Sequence, residues 1–367
     1  MATDAIVPIK LYGSSISYFT GKLENYFRIR GIPYELQAFD MQRHAPLIRE
    51  KTGSTQMPVL ELGDGRWLSD STPIIKWFET EYAAPAVIPV DPLQRFFSLL
   101  LEDYADEWLW RPAMHYRWYY EEGARWASTH LAYEVTPNLL LPSFIKRLVL
   151  IRRQRGYTVG DGIRPDQVPG VEAIYHRCLA QLEAILRRRP FLLGDKPSLA
   201  DIGFSGPMFR HFGLDPIPAE IMRRQAPAVW EWAARLWNTR LEDCDGELLT
   251  GVPADWGPIL DEIGEHYLPY LCANVDAVVA GKKSFDAEIG GVHYRGARWS
   301  KYRVWCLQQL RDHFNALPEV EQSTAQALLE QHGCWEPLWR QPELPMDDDL
   351  CSQLPFYVDA KMIDIHK

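Results

Sequence analysis

The chain has 367 residues, of which 47% are hydrophobic, so it is long enough for two globular domains and a further segment. Its net charge of −10 disfavours a nucleic-acid partner. No apolar run approaches the length of a membrane span, and the N-terminus lacks the basic and apolar regions of a signal peptide. We therefore expect a cytoplasmic protein with neither a nucleic-acid nor a membrane partner.

The first unit that the sequence predicts is a strand, a helix and a second strand within Ile9–Leu36. An apolar run over residues 9–12 predicts the first strand, and a polar turn follows it over residues 13–17. Apolar residues then recur at helical spacing as far as Gly31, a residue type that commonly ends helices. The start of such a helix has free N–H groups and a partial positive charge, so it can stabilise an anion such as a thiolate.

The next stretch completes a small first domain. The sequence predicts a helix, two strands joined by the turn signal Gly-Asp-Gly, and a further helix, over residues 44–51, 59–62, 66–69 and 72–82. Asp70 and Ser71 stand where the last helix begins, and both are favoured residues at a helix N-terminus. Pro58 precedes the first of the two strands.

Beyond a proline-rich linker at residues 84–92, helical periodicity continues to about residue 245 and predicts an all-α second domain. Ser198 and Asp201 form a capping box, which has a structural role at a helix start. Glycine and proline predict a loop over residues 156–170.

The remaining segment, residues 246–367, predicts a mostly helical extension with a hairpin near residues 285–298. Such an extension could cap a cleft, cover the helical domain, or form an interface with a partner. The sequence alone leaves these three roles open.

The six cysteines all lie in the second half of the chain or just before it, and none forms a C-x-x-C pair. The first domain therefore has no thiol with which to perform disulfide exchange. We expect no metal site, and the wide spacing indicates free thiols in a reducing compartment.

Three stretches resemble the glutathione transferase superfamily: Gly31–Leu36 (GIPYEL), Gln56–Leu60 (QMPVL) and Leu68–Ile75 (LSDSTPII). The resemblance implies a thioredoxin-like, glutathione-binding domain over residues 1–83 and an all-α domain over residues 93–245 that lines an electrophile pocket. It covers roughly the first 245 residues, so it says nothing about the extension. Tyr18 stands where the family usually has proline.

The resemblance also implies how glutathione would be held. Met57, followed by a cis-Pro58, would pair its backbone with the peptide, and Gln56 would contact the peptide by hydrogen bonds. Ser71 would bind the carboxylate of the γ-glutamyl end, and Asp70 would face its ammonium group.

Catalysis requires that the thiol of glutathione lose its proton, because the thiolate is the nucleophile. A hydroxyl aimed at the sulfur would favour the thiolate, and Ser17 is our candidate for that group, although it would serve equally well as a simple helix cap. Thr20 would be the donor if the turn is displaced, and Tyr18 or Tyr12 if the site uses a tyrosine.

The resulting expectation is an enzyme that joins glutathione to a small apolar electrophile, with Tyr104 and Trp108 in the electrophile pocket and no metal. The resemblance also implies a homodimer, with the first domain of one subunit beside the helical domain of the other. The competing hypothesis is a non-catalytic protein that kept this fold for binding or for protein interaction.

Overall fold

The first domain is built on a mixed four-stranded sheet with three flanking helices. The computed structural model describes residues 6–82, 84–345 and 354–356. The strands have the order β2-β1-β3-β4, with β1 parallel to β2 and antiparallel to β3. The elements are β1 (Lys10–Gly13), α1 (Tyr18–Arg30), β2 (Glu35–Ala38), α2 (Ala45–Thr52), β3 (Val59–Glu61), β4 (Trp67–Ser69) and α3 (Ser71–Glu81). The predicted thioredoxin-like domain is thereby confirmed.

Local sequence signals set the ends of these elements. Gly31 ends α1 with a φ of 67°, a left-handed conformation that costs glycine little. Ser17 precedes the same helix and accepts a hydrogen bond from the backbone N–H of Thr20 at 3.4 Å. The Met57–Pro58 peptide bond is cis, as the resemblance implies.

The second domain is helical, as predicted. Its helices are α4 (Pro92–Glu107), α5 (Trp110–Trp118), α6 (Glu121–Glu134), α7 (Ser143–Gly160), α8 (Val168–Leu186), α9 (Leu199–Ser205), α10 (Pro216–Gln225) and α11 (Pro227–Asn238). The loop predicted over residues 156–170 is wrong at both ends, because residues 156–160 form the last turn of α7 and residues 168–170 form the start of α8. Ser198 and Asp201 make the predicted capping box at the start of α9.

The extension continues with helices and one β-hairpin. Its elements are α12 (Gly257–Glu262), α13 (Leu268–Val279), β5 (Phe285–Ile289), β6 (Val292–Ala297), α14 (Lys301–Asn315), α15 (Glu319–Gln331) and α16 (Trp335–Trp339). Helix α14 packs on α4, where the rings of Phe96 and Phe314 lie 5.9 Å apart. It also reaches the first domain, where Lys76 and His313 place their side-chain nitrogens 2.9 Å apart.

A buried cluster of charges joins the first domain to the helical domain. Lys22 of α1 is fully buried and forms ion pairs with Glu102 and Asp106 of α4. Its ammonium also donates a hydrogen bond to the hydroxyl of Thr72 at 2.9 Å. Because removal of one partner from a buried pair typically costs about 3–5 kcal/mol, this cluster fixes how α1, α3 and α4 meet.

Candidate functional site

A cavity of about 640 Å³ lies where the first domain, the helical domain and the extension meet. Its polar wall comes from the first domain and its apolar wall from the helical domain. The extension closes a third side. This size falls within the range of ordinary small-molecule sites in proteins.

The polar wall combines two helix N-termini and the loop before β3. Helix α1 begins next to the cavity, and so does α3. The structure brings to this wall the favoured catalytic serine and all the predicted glutathione-binding residues: Ser17, Gln56, Met57, Pro58, Asp70 and Ser71. These positions lie far apart in sequence, and the sheet brings them together because β1, β3 and β4 are neighbours.

Among the candidate hydroxyl groups, that of Ser17 is the one on a cavity-lining residue whose only hydrogen bond among the described residues is a long one, from the backbone N–H of Thr20 at 3.4 Å. The ring of Tyr18 touches the cavity, but its hydroxyl donates to the backbone carbonyl of Ala105. Thr20 is fully buried, with its side chain against the backbone of Gly13, and it does not line the cavity.

Tyr12 lies away from the cavity as well. Its hydroxyl donates to a carboxylate oxygen of Glu61 at 2.7 Å, and its ring stacks on Trp67. Burial and the nearby Glu61 raise the pKa of Tyr12 to about 12. A phenol held in this way cannot act on a ligand in the cavity.

The carboxylate of Glu134, which the sequence analysis did not single out, contacts the turn before α1. The backbone N–H of Ser15 donates to Glu134 Oε2 at 3.0 Å, and the hydroxyls of Ser14 and Ser15 donate to the same carboxylate. Glu134 ends α6, more than a hundred residues away along the chain. It places a negative charge beside the helix start that would have to stabilise a thiolate.

Asp70 has an unusual backbone conformation at the other end of the polar wall. Its φ is 74°, and in the described part of the chain no other residue except glycine has a positive φ. Its carboxylate accepts a hydrogen bond from the backbone N–H of Thr72 at 3.3 Å. Strained backbone of this kind costs about 1–3 kcal/mol and concentrates at ligand sites.

The extension contributes directly to the environment of Asp70. The hydroxyl of Tyr302, in α14, lies close to the Asp70 carboxylate and lowers its pKa. Burial raises the pKa of Asp70, while the Tyr302 hydroxyl and the charge of Lys22 oppose that rise. Tyr302, which lies outside the stretches that resemble the family, therefore lowers the pKa of Asp70, which lies within one of them.

Next to Tyr302, an arginine of the extension joins the helical domain. Arg303 donates to Asp161 Oδ1 at 2.7 Å and lies 3.8 Å from a carboxylate oxygen of Glu107. Asp161 also forms an ion pair with the fully buried Arg111 at 3.0 Å. Burial opposes ionisation of Asp161, but the two arginines outweigh it and hold its pKa below the usual value.

The apolar wall is formed by residues other than Tyr104 and Trp108, which the sequence predicted there. Tyr104 and Trp108 are fully buried and do not line the cavity. Tyr104 packs on Phe204 and Tyr267, and Trp108 packs on the rings of the extension. The assignment of these two residues to an electrophile pocket is therefore corrected, because the apolar face of α4 points into the core.

A turn at residues 108–109 ends α4 and redirects the chain into α5. Trp110, Met114 and Trp118 follow at four-residue spacing, which places them on one face of α5, and all three line the cavity. Leu131 of α6 and Leu150 of α7 continue this wall. The aromatic stretch was visible in the sequence, but the change of helix direction was not.

The described residues contain neither a metal-binding cluster nor a membrane-spanning helix. No group of three histidine, cysteine, aspartate or glutamate side chains among them is arranged to hold a metal ion. Within the same residues, no helix combines the length and the apolar character that crossing a bilayer requires.

Two family models match the chain. The model of the glutathione S-transferase N-terminal domain matches residues 11–86, and that of the glutathione S-transferase C-terminal domain matches residues 165–235. The chain is 29% identical over 100 residues to a probable glutathione S-transferase of Solanum tuberosum, an alignment that covers 26% of this chain and 46% of the relative. It is also 29% identical over 100 residues to glutathione S-transferase U4 of Arabidopsis thaliana, covering 27% and 44%.

These alignments span less than half the length of either relative. Among solved structures, a glutathione S-transferase from Rhodospirillum rubrum aligns with 68% of this chain and 97% of its own, at 17% identity and a TM-score of 0.42.

Proposed function

Because the chain belongs to the glutathione transferase superfamily, we propose that it binds glutathione in the cavity and transfers it to a small apolar electrophile. The observation that carries the proposal is the arrangement of the polar wall. Ser17, the Met57–Pro58 loop and the Asp70–Ser71 pair border one cavity, opposite an apolar wall built from α5, α6 and α7.

The two ends of a tripeptide would meet complementary groups in this arrangement. The γ-glutamyl carboxylate would accept hydrogen bonds from Ser71 and from the backbone at the start of α3, and Asp70 would bind the ammonium group. The peptide would pair with the backbone of Met57. Gln56 and the exposed guanidinium of Arg49, which also lines the cavity, are available to the glycyl carboxylate.

The sulfur would then lie next to Ser17 and the N-terminus of α1. The hydroxyl of Ser17 would donate a hydrogen bond to the thiolate, and the proton lost from the thiol would pass to solvent. The thiolate would attack the electrophilic carbon, forming a carbon–sulfur bond. In a substitution the leaving group would depart with the electron pair of its broken bond.

Two measurements test this function. The full chain is expected to be retained on immobilised glutathione and eluted by free glutathione, and to conjugate a chromogenic aryl halide at a rate above the spontaneous one. Ser71→Ala is the binding control, because it removes a hydroxyl from the γ-glutamyl end. Absence of retention together with absence of conjugation would contradict the proposal.

One observation favours a non-catalytic alternative. The backbone N–H of Ser15 already donates a hydrogen bond to Glu134. The negative charge of Glu134 would oppose formation of a thiolate nearby. In that case the chain would bind glutathione without ionising it. The ultraviolet absorbance of the bound thiolate separates the two functions, because it is absent when glutathione binds as the neutral thiol.

A further inference from the structure

Helix α7 exposes an unusually apolar outer face. Phe144, Leu148 and Val149 are 62%, 63% and 58% exposed, and Leu140, just before the helix, is 98% exposed. Phe144 and Leu148 are four residues apart in α7 and so lie on one side of the helix, and the exposed Leu141 stands just before it. Large apolar side chains concentrated in this way mark an interaction site.

The same segment is strongly basic. Residues 135–160 contain five lysines and arginines and no aspartate or glutamate, in a chain whose net charge is −10. Lys146 and Arg155 are engaged by neighbouring groups, since they donate to the backbone carbonyls of Thr136 and Trp118. Arg152 is exposed, and it has no ion-pair partner within the described residues.

We propose that this outer face of α7, formed by Leu140, Leu141, Phe144, Leu148, Val149 and Arg152, docks on the surface of an anionic lipid membrane. The helix has 18 residues, so it is about 27 Å long and would lie in the plane of the membrane surface. Its apolar side chains would enter the boundary between headgroups and acyl chains, and Arg152 would attract anionic headgroups.

Charge complementarity distinguishes this partner from a second copy of the chain. Pairing two copies through this face would bring two basic segments together, and of their five lysines and arginines only Arg155 has an ion-pair partner, Glu121, within the described residues. The face is also the exposed outer side of a single helix, which can lie flat on a lipid surface. The expectation of no membrane partner rested on the absence of a spanning segment, and that absence does not concern a helix lying on the surface.

Docking through α7 would also bring the cavity close to the membrane. The opposite side of the helix lines the cavity through Leu150, Gln154 and Tyr157. A docked chain would therefore hold the apolar wall of the cavity close to the lipid, where apolar compounds concentrate. The docking itself does not depend on the proposed transferase activity.

The test is flotation of the full chain with vesicles. We expect it to float with vesicles of phosphatidylglycerol and phosphatidylcholine at low salt, less at high salt, and much less with phosphatidylcholine alone. Leu148→Ser and Arg152→Glu are each expected to weaken binding by about fivefold or more. Both positions are exposed, so circular dichroism and the melting temperature should remain those of the unchanged chain.

Matched controls lie elsewhere on the surface. Val320→Ser removes an apolar side chain that is 76% exposed, and Arg188→Glu makes the same charge change as Arg152→Glu at another exposed arginine. Neither control should reduce flotation. Equal losses in controls and test variants, or no flotation with anionic vesicles, would overturn the proposal. So would a dimer in the absence of lipid that Leu148→Ser converts to a monomer, because the face would then join two copies.

Discussion

Ser17 and Glu134 act on the same turn with opposite electrostatic effects. Under the proposed function, the hydroxyl of Ser17 and the start of α1 would favour a negative charge at the sulfur of a bound thiol, whereas the carboxylate of Glu134 would disfavour it. The effects of Ser17 and Glu134 can be compared through the pKa of bound glutathione. This pKa can be measured from the ultraviolet absorbance of the thiolate against pH.

Ser17→Ala is expected to raise the pKa of bound glutathione by about one to two units, with little change in affinity. The reason is the loss of one hydrogen bond to a charged group, worth roughly 1.5–3 kcal/mol. Ser71→Ala should do the reverse, weakening binding with a smaller effect on the thiol, because Ser71 lies at the other end of the peptide. If Ser17→Ala titrates like the unchanged chain, Ser17 serves only as a helix cap.

Glu134→Gln is expected to lower the pKa of bound glutathione by roughly one unit, because it removes a negative charge near the sulfur. The amide oxygen of glutamine can still accept the hydrogen bond from Ser15, so the turn should keep its shape. The same absorbance titration measures the effect. Glu121→Gln is the control, since Glu121 lies at the exposed start of the same helix and pairs with Arg155. A rise in the thiol pKa would contradict the electrostatic reasoning.

At the scale of elements, α14 brings Tyr302 of the extension close to Asp70 at the start of α3. The Tyr302 hydroxyl lowers the pKa of Asp70 and so helps to keep its carboxylate ionised against the effect of burial. Under the proposed function, Asp70 must be ionised to hold the ammonium group of glutathione. The affinity should therefore fall as the pH drops through the pKa of Asp70.

Tyr302→Phe removes the hydroxyl that lowers the pKa of Asp70, so that pKa should rise and the loss of affinity should begin at a higher pH. Calorimetric titration with glutathione between about pH 4 and pH 8 measures the change. Tyr294→Phe is a matched control from the extension, because the buried hydroxyl of Tyr294 has no hydrogen-bond partner among the described residues. Identical pH profiles for Tyr302→Phe and the unchanged chain would show that Tyr302 has a packing role only.

The elements that the sequence predicts best are those with local signals. The turn of residues 63–65, the helix end at Gly31 and the capping box of Ser198 and Asp201 each depend on neighbouring residues, and the structure contains all of them. The loop predicted over residues 156–170 is too long at both ends, because glycine and proline do not interrupt α7 at 156–160 or the start of α8 at 168–170. A distant contact meets the end of α7, where the backbone N–H of Arg298, just after β6, donates to the carbonyl of Gly160 at 2.7 Å.

The parts of the site that the sequence missed depend on distant contacts. Glu134 reaches Ser15 across 119 positions, and Tyr302 reaches Asp70 from a segment that no resemblance covers. Periodicity reports which face of a helix is apolar, but it does not report whether that face meets the core or a cavity. For that reason Tyr104 and Trp108 could not be separated from Trp110 and Trp118 before the direction of α5 was known.

At the scale of the whole molecule, the extension joins the two domains within a single chain. Helix α14 contacts α3 through Lys76 and α4 through Phe96, and the backbone N–H of Ser69 in β4 donates to the carbonyl of Pro355 at 2.7 Å. The ring of Phe356 also contacts Trp77 of α3. The face of the first domain formed by β4 and α3 is therefore already in contact with segments of its own chain.

This arrangement bears on the homodimer that the resemblance implies, which would place the first domain of one subunit beside the helical domain of another. Because the extension already covers β4, α3 and part of α4, a second copy would have to displace it and expose the apolar side chains of α14. We therefore expect a monomer. Light scattering at micromolar concentration without lipid should give the chain mass of 42.4 kDa. A mass twice that, unchanged by Leu148→Ser, would show that the two-fold contact forms despite the extension, through a surface other than the outer face of α7.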